Sequence, residues 1–233
     1  KSGYKVNIEI PLKGKKKIVV KNAEKNAEKE LERKFNEEKN NLLYMQKIKV
    51  GFGLNKIPKT IEVYDISHIS GEFAVGAMIS FNKDGFIKNN YRKFNIKGEF
   101  KRKDNILKGD DYSMIYEVLN RRLKKNSKKI SLPDLIIIDG GKGHLNTASN
   151  VLNSLDLEKK IELVSIAKGE KRNEGNETFY FKRNKKIKFK TNDKTLFFLQ
   201  RLRDEAHRFA ITSHKTRRSK ISKSILDEIE GIG

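Results

Sequence analysis

The chain has 233 residues and is strongly basic, with 52 Lys and Arg against 30 Asp and Glu and a formal net charge of +22. The length suits one large domain or two small ones, and the charge favours a polyanionic partner, either nucleic acid or an anionic membrane surface. Because there is no cysteine, disulfides, thiolate nucleophiles and Cys-based metal sites are excluded, and any metal ion must be bound by Asp, Glu or the four His.

No apolar segment approaches the roughly 20 residues that span a bilayer, and no signal peptide is recognisable. We therefore predict a cytoplasmic protein without a membrane partner. The chain starts without an initiator Met and stops at Gly233, so we expect it to be a fragment of a longer protein.

The N-terminal part predicts a small hairpin followed by a long helix. Apolar residues alternate over residues 6–12, a turn follows at Lys13-Gly14-Lys15, and Ile18-Val19-Val20 is the predicted second strand. The pattern becomes helical over residues 22–47, where a narrow apolar stripe predicts packing on a larger body: Ala23, Ala27, Leu31, Phe35, Leu42 and Met45.

Three β-branched and aromatic segments, at residues 60–67, 74–81 and 86–94, then predict sequential antiparallel strands. Asp65 lies on the same strand face as Ile61 and Val63, and an acid among apolar neighbours is costly to bury unless it is paired or bound to metal. A helix follows with an apolar side formed by Ile115, Val118 and Leu119, and either Asp110 or Asp111 could simply cap it.

The unbroken apolar run Leu135-Ile136-Ile137-Ile138 predicts a central strand covered on both faces, since a half-exposed strand would alternate. Asp139 follows at its carboxyl end, where open α/β sheets bind their ligands. Gly140, Gly141 and Gly143 permit a turn with exposed N–H groups before the next helix, which suits a phosphate. The alternative is an ordinary strand-to-helix turn in which Asp139 is only a cap.

A strand at residues 161–166, a basic hairpin at 178–190 and a helix at 194–213 complete a mixed α/β pattern. The lysines of the hairpin are either a solvated edge or a phosphate-binding surface. Asn192 or Asp193 is the predicted cap of the last helix, and Arg203 and His207 flank its apolar stripe, where a histidine is more often structural than catalytic. The stripe consists of Leu196, Leu199, Leu202, Ala206 and Phe209.

These acids and the histidine suggest a metal site. If the first and fourth core strands are neighbours, Asp65 and Asp139 converge, and Asp111 and His207 are the further candidates. Carboxylates and an imidazole without a thiol are suitable ligands for Mg²⁺ or Mn²⁺, which polarise a phosphodiester and lower the pKa of an attacking water.

Short motifs follow one another in a distinctive order: Asp65-Ile66-Ser67-His68 with Gly71, Phe94-Asn95-Ile96, Gly109-Asp110-Asp111-Tyr112, Pro133-Asp134-Leu135, Asp139-Gly140-Gly141-Lys142-Gly143, Ala167-Lys168-Gly169-Glu170 and Arg203-Asp204-Glu205-Ala206-His207-Arg208-Phe209-Ala210. Each motif alone is weak, but their combination resembles UvrC, the C subunit of the bacterial nucleotide-excision-repair excinuclease. The resemblance runs over nearly the whole chain.

The resemblance implies an RNase H-like α/β domain that makes the incision 5′ to a DNA lesion. Its mixed sheet has three antiparallel strands and then parallel strands with flanking helices, to which the N-terminal hairpin and long helix are added. Matched by motif, Asp65, Asp139 and His207 correspond to the catalytic, metal-binding set for Mg²⁺ or Mn²⁺. Asp111 corresponds to a further acid needed for the 5′ cut. The resemblance thus replaces the capping interpretation of Asp111 and the structural interpretation of His207.

The domain organisation follows from the same resemblance. Residues 1–58 are the hairpin and helix packed on the core, 59–215 the endonuclease core, and 216–233 a basic linker with the truncated start of a helix-hairpin-helix region. The family's 3′-incision module and UvrB-binding segment have no counterpart here. We therefore expect weak DNA binding and poor incision by this chain alone.

The expected partners are double-stranded DNA carrying a lesion and UvrB, the latter through the absent segment, and the chain is expected to be a monomer. Lys142, Arg203 and Arg208 are predicted to position phosphates, with ordinary surface charge as the alternative. A non-catalytic RNase H-like binding module is the competing hypothesis, against which the retained acids argue. A basic structural protein of a ribonucleoprotein would have no reason for an acid within residues 61–66.

Overall fold

The structure is a computed structural model of the chain and describes residues 10–69, 73–96, 111–124, 131–168 and 177–226. Side chains are described in these ranges except at residues 67–69, 73–74 and 213–226. None of the helices found there is both long and apolar enough to cross a bilayer.

Eight strands in the described residues form one sheet in the order β3-β2-β1-β5-β6-β7-β8, and β4 also pairs with β2. They are β1 (Thr60–Ile69), β2 (Phe73–Asn82), β3 (Gly85–Phe86), β4 (Arg92–Asn95), β5 (Leu135–Asp139), β6 (Glu162–Ala167), β7 (Thr178–Tyr180) and β8 (Lys186–Ile187). The helices are α1 (Gly14–Phe52), α2 (Asp111–Leu123), α3 (Lys142–Ser154) and α4 (Lys194–Leu226), with a short 3₁₀ turn at Lys88–Asn90.

The mixed sheet predicted from the sequence is confirmed. β1 is antiparallel to β2 and parallel to β5, and β5 is parallel to β6, so the first and fourth predicted core strands are neighbours. The predicted third strand is divided, because the 3₁₀ turn at Lys88–Asn90 separates β3 from β4. Both pieces pair antiparallel with β2.

The apolar run in β5 has the predicted two-sided burial. Leu135 and Ile137 pack with α1 and α4 on one face of the sheet, whereas Ile136 and Ile138 pack with α2 and α3 on the other. All four side chains are fully buried. Because successive side chains of a strand point to opposite faces, only a continuous apolar run can fill both layers.

The predicted N-terminal hairpin is wrong in its second strand. Helix α1 already begins at Gly14, so Ile18-Val19-Val20 are helical, and they are exposed. No strand in the described residues pairs with this segment, and the Lys, Ala and Glu residues around it favour a helix. Most of the predicted first strand falls on residues 1–9, outside the described residues.

Only the last part of α1 packs on the sheet. Its buried residues are Asn41, Met45, Ile48 and Phe52, and the Tyr44 ring stacks on Phe198 with ring centroids 4.6 Å apart. The predicted stripe is therefore wrong for its earlier members, since Leu31 and Phe35 are 55% and 62% exposed and Leu42 is also exposed. A helix of 39 residues is about 58 Å long, more than one small sheet covers.

Helix α4 begins as predicted. The Asp193 carboxylate accepts a 2.7 Å hydrogen bond from the Thr195 N–H, which identifies Asp193 as the cap. The predicted stripe is buried from Leu196 to Ala206, and Phe209 is half-buried. The helix continues without a break to Leu226, so the segment predicted as a linker after residue 215 starts as helical backbone. The domain boundaries themselves stay a prediction.

Asp134 joins the start of β5 to the segment before β1. One carboxylate oxygen accepts a 2.7 Å hydrogen bond from Lys56 Nζ, and the other accepts bonds from the N–H groups of Lys59 and Thr60 at 2.9 and 3.2 Å. Burial acts to raise the pKa of Asp134, but these three hydrogen bonds hold it below the ordinary value of 3.8. The carboxylate therefore stabilises the fold in its charged form.

We expect Asp134→Asn to lower the free energy of unfolding by about 1–2 kcal/mol at pH 7, the worth of hydrogen bonds to a charged group. Because the pKa of Asp134 is lower in the folded state, this stabilisation is present above the unfolded-state pKa and is lost as pH falls through the lowered folded-state pKa. Urea unfolding between pH 2 and 7 measures it. The exposed Glu24→Gln on α1 is the control, and an Asp134→Asn effect that grows toward low pH would contradict the assignment.

Candidate active site

Because side chains alternate between the two faces along each strand, β1 and β5 each present one carboxylate on the same face of the sheet. Val63 packs on the α4 face, so Asp65, two residues later, points there as well. By the same rule, Asp139 follows Ile137 to the α4 face. Asp65 is 5% exposed and Asp139 is half-buried. Both acids thus lie beneath α4.

The strand register brings these acids side by side. Tyr64 of β1 pairs with Ile138 of β5 in the parallel ladder, so Asp65 and Asp139 are the next residues on adjacent strands. Asp139 is the last residue of β5, whereas Asp65 lies in the middle of β1, directly after the last pair of the parallel ladder. The carboxyl end of β5 is where open α/β sheets bind ligands. The convergence expected from the sequence is present in the structure.

His207 of α4 closes over Asp65. Its Nδ1 lies 3.0 Å from Asp65 Oδ2, a contact between residues 142 positions apart in the chain. The neighbouring Ala206 and Ala210 are fully buried against the sheet, which orients the helix, while the His207 side chain remains 52% exposed and that of Asp65 only 7%. The imidazole therefore joins a buried carboxylate to the surface. Its catalytic role stays a prediction.

The charge balance at Asp139 shows how close these groups are. Burial raises the pKa of Asp139, and the charge of Asp65 raises it further. Arg203, Lys168 and His207 act in the opposite direction, with Arg203 the strongest of the three. The surroundings of Asp139 therefore disfavour its charged form, and a further cation nearby would stabilise that form.

Glu177, which was not singled out from the sequence, holds Arg203 in this site. Arg203 Nη1 lies 3.0 Å from Glu177 Oε1, and Gln200 Nε2 donates to the same oxygen at 2.8 Å. The Glu177 side chain is 4% exposed and that of Arg203 is 11% exposed. Arg203 also contacts Asp204 at 3.0 Å. The only sequence signal was an acid directly before an alternating segment, which does not identify a partner.

The turn after Asp139 requires glycine at its first position. Gly140 has φ +154°, and a Cβ there would lie 2.5 Å from His144 Cγ. Its N–H donates a 2.9 Å hydrogen bond to Ile166 O, which joins the turn to β6. Gly140 thus fixes where the chain leaves β5. Contact of these N–H groups with phosphate stays a prediction.

Asp111 is the first residue of α2, on the opposite face of the sheet from His207. The next residue, Tyr112, packs its ring 5.0 Å from that of His144, and a Cβ on Gly143 would lie 2.5 Å from this tyrosine. The start of α2 therefore lies beside the start of α3, next to the turn that follows Asp139. Asp111 belongs to the same edge of the sheet.

The three predicted phosphate-binding cations have different surroundings. Lys142 is the exposed first residue of α3, and Arg203 is tied to Glu177 beside Asp139. Arg208 is exposed and forms two hydrogen bonds with Glu205, at 2.7 and 2.8 Å. Of the three, Arg203 is the one whose charge acts on Asp139. DNA contact by these residues stays a prediction.

The candidate ligands are of the type that binds a divalent ion, but they do not form a complete coordination site. Within the described residues, no three His, Asp or Glu side chains are already arranged to hold a metal. Asp65 and Asp139 nonetheless present carboxylate oxygens on one face, which is the ligand type that Mg²⁺ and Mn²⁺ prefer. Their mutual repulsion is what a bound cation would offset.

Comparison with known proteins identifies the family. The sequence model of the UvrC RNase H endonuclease domain matches residues 49–211, which include Asp65, Asp111, Asp139 and His207. The chain belongs to this family. The predicted relationship to UvrC and the RNase H-like fold are thereby confirmed.

Curated relatives of this UvrC domain extend the match. UvrABC system protein C of Rhodopseudomonas palustris strain CGA009 is 44% identical over 100% of this chain and 35% of its own length. UvrABC system protein C of Wolbachia sp. subsp. Brugia malayi is 45% identical over 86% of this chain and 32% of its own length. The chain thus spans about a third of the length of these relatives.

Solved structures that resemble this UvrC domain include endonuclease V. Human ENDOV covers 48% of this chain and 46% of its own, with 12% identity and a TM-score of 0.34. Ciona intestinalis endonuclease V, in complex with DNA containing an inosine, covers 61% and 59%, with 18% identity and a TM-score of 0.34.

Proposed function

We propose that this UvrC domain is a divalent-metal-dependent DNA endonuclease that makes the 5′ incision in nucleotide excision repair. The observation that carries the proposal is the position of Asp65 and Asp139 on adjacent strands, directly after the last pair of the parallel ladder, with His207 in contact with Asp65. Membership of the UvrC RNase H endonuclease domain family supports it.

Asp65 and Asp139 would hold Mg²⁺ or Mn²⁺, with His207 as a further ligand or a proton-transfer group. When bound, the ion would polarise the scissile phosphodiester and lower the pKa of an attacking water. His207 Nδ1 lies 3.0 Å from Asp65 Oδ2, where it would donate a proton to the ionised carboxylate, and a neutral imidazole would then offer Nε2 as an acceptor. The imidazole can then move a proton at the surface of the site.

The substrate is proposed to be double-stranded DNA carrying a lesion, presented together with UvrB. The net charge of +22 favours phosphate contacts, and Lys142, Arg203 and Arg208 are the proposed contacts near the site. Such contacts position a strand without reading its bases, which suits an enzyme that must cut in any sequence.

A binding module without activity is the second candidate. Such a module would gain nothing from two neighbouring acids whose repulsion raises the pKa of Asp139. A catalytic function therefore explains this site better than a binding function alone.

We expect Mn²⁺ to bind the wild-type chain in a calorimetric titration and to bind Asp139→Asn at least about 10-fold more weakly, because a charged ligand is lost. Asp84→Asn, an exposed acid in the turn between β2 and β3, is the matched control. Equal Mn²⁺ affinity in all three proteins would contradict a metal site at Asp139.

Incision of an end-labelled, lesion-bearing duplex by the full-length protein and its partners tests the function itself. A duplex already nicked on the 3′ side isolates the 5′ cut. The proposal requires a new end on the 5′ side of the lesion, and a product cut only on the 3′ side would refute it.

A further inference from the structure

A groove runs along α4 toward the candidate active site. Its outer part has a volume of about 560 Å³ and lies between α4 and the segment from β3 to the 3₁₀ turn. Its inner part, about 390 Å³, is lined by His207 and Ile211. Both parts share Asp204 and Arg208, so they form one depression, the α4 groove, that ends at the histidine in contact with Asp65.

The outer part exposes an aromatic ring that the fold does not use. Phe197 is 53% exposed, whereas its chain neighbours Leu196 and Phe198 are buried in the core. One helical turn later, Arg201 lies in the same groove with its guanidinium 5.2 Å from the centre of the Phe86 ring. A flat apolar ring and a guanidinium therefore stand side by side in this groove.

The charges in the groove favour an anionic occupant. Its two acids are already engaged: Asp204 pairs with Arg203, and Glu205 pairs with Arg208 and accepts a hydrogen bond from Tyr91. Among the described side chains, neither Lys88 nor Arg201 lies within ion-pair distance of a carboxylate, although the charge of Lys88 acts on Glu205. These two cations are thus the ones available for phosphate.

We propose that the α4 groove binds unpaired DNA next to the scissile phosphate, with one base stacked on Phe197 and the backbone held by Lys88 and Arg201. Aromatic rings beside cations are the usual means of binding single strands, because an unpaired base exposes its face and a base in a duplex does not. The volume of the outer part lies within the range of small-ligand sites and suits a nucleotide. The inference rests on the proposed nuclease, whose site lies at the inner end.

Binding of fluorescein-labelled oligonucleotides to the chain, measured by anisotropy, tests this proposal. Phe197→Ala and Arg201→Ala are each expected to weaken single-strand binding by about 5-fold or more, the effect of losing one stacked base or its adjacent cation. The matched controls are Phe35→Ala and Arg33→Ala on α1, which remove the same groups from exposed positions outside the groove. These controls are expected to change affinity less than 2-fold. Duplex binding should fall less than single-strand binding in the groove variants.

Several results would overturn the groove proposal. They are unchanged affinity in Phe197→Ala and Arg201→Ala, an equal loss in the α1 controls, and an equal loss for duplex and single strand. In the full-length protein, intact DNA binding by the groove variants together with loss of UvrB binding would assign the groove to a protein partner and overturn the proposal as well.

The groove proposal and the nuclease proposal can be contradicted independently of each other. If Asp139→Asn stops the 5′ cut while the groove variants bind DNA normally, only the groove proposal fails. If the groove variants lose single-strand binding while Asp139→Asn still cuts, the proposed nuclease site fails and the groove remains a binding site.

Discussion

Full-length protein carrying Asp139→Asn is expected to lose the 5′ incision by at least about 10³-fold. The change keeps the size of the side chain but removes one of two charges that would hold the metal, and metal stabilisation of a transition state is worth several kcal/mol. The rate of 5′ cutting on an end-labelled duplex already nicked on the 3′ side measures this effect directly.

Two comparisons make the Asp139 result specific. Asp84→Asn, which removes an exposed acid in the turn between β2 and β3, should cut at the wild-type rate. The 3′ cut on an intact lesion duplex should also be unchanged in Asp139→Asn, since Asp139 is proposed to act only in the 5′ cut. A 5′ rate within 10-fold of wild type in Asp139→Asn would show that Asp139 is not a catalytic ligand.

We expect Arg122→Met to lower the free energy of unfolding by about 3–5 kcal/mol, the cost of leaving a buried charge without its partner. Arg122 of α2 lies 2.5 Å from Glu62 of β1, and the two side chains are 3% and 1% exposed. Glu62 also accepts a 2.6 Å hydrogen bond from Tyr64, and Arg122 donates to Ser131 O at 2.9 Å. The ion pair therefore joins α2, β1 and the segment before β5. Urea unfolding at pH 7 measures the loss.

An exposed arginine provides the control for this prediction. Arg33→Met on α1 removes a guanidinium that pairs with Glu30 and Glu37, both exposed, and should leave the free energy of unfolding close to that of the wild type. The double variant Glu62→Leu, Arg122→Met removes both buried charges and should regain much of the stability lost in Arg122→Met alone. If Arg122→Met and Arg33→Met are equally stable, the buried pair does not stabilise the docking of α2.

Much of the site's placement was already present in the sequence, because strand periodicity is a local property. The run from Leu135 to Ile138 required a strand buried on both faces, and the period of two then assigned Asp139 to the face of Ile137. The same two-residue period assigned Asp65 to the face of the sheet that Val63 occupies. Likewise, the helical stripe of α4 identified the flank on which Arg203 and His207 lie.

Other features were decided only by tertiary contacts. The residues Ile18-Val19-Val20 suggested a strand, yet no strand in the described residues pairs with them and they lie in α1. Leu31 and Phe35 suggested a buried stripe, but α1 extends past the sheet, and burial depends on what lies opposite rather than on periodicity.

The sequence by itself determined the core strands β1, β2, β5 and β6 and the residue types of the site. The tertiary structure decided which of these groups meet: Asp65 with His207 across 142 positions, and Arg203 with Glu177 across 26. Such pairings depend on the order of strands in the sheet and on the angle at which α4 crosses it. Neither is encoded in the spacing of neighbouring residues, because spacing reports only which side of its own element a residue occupies.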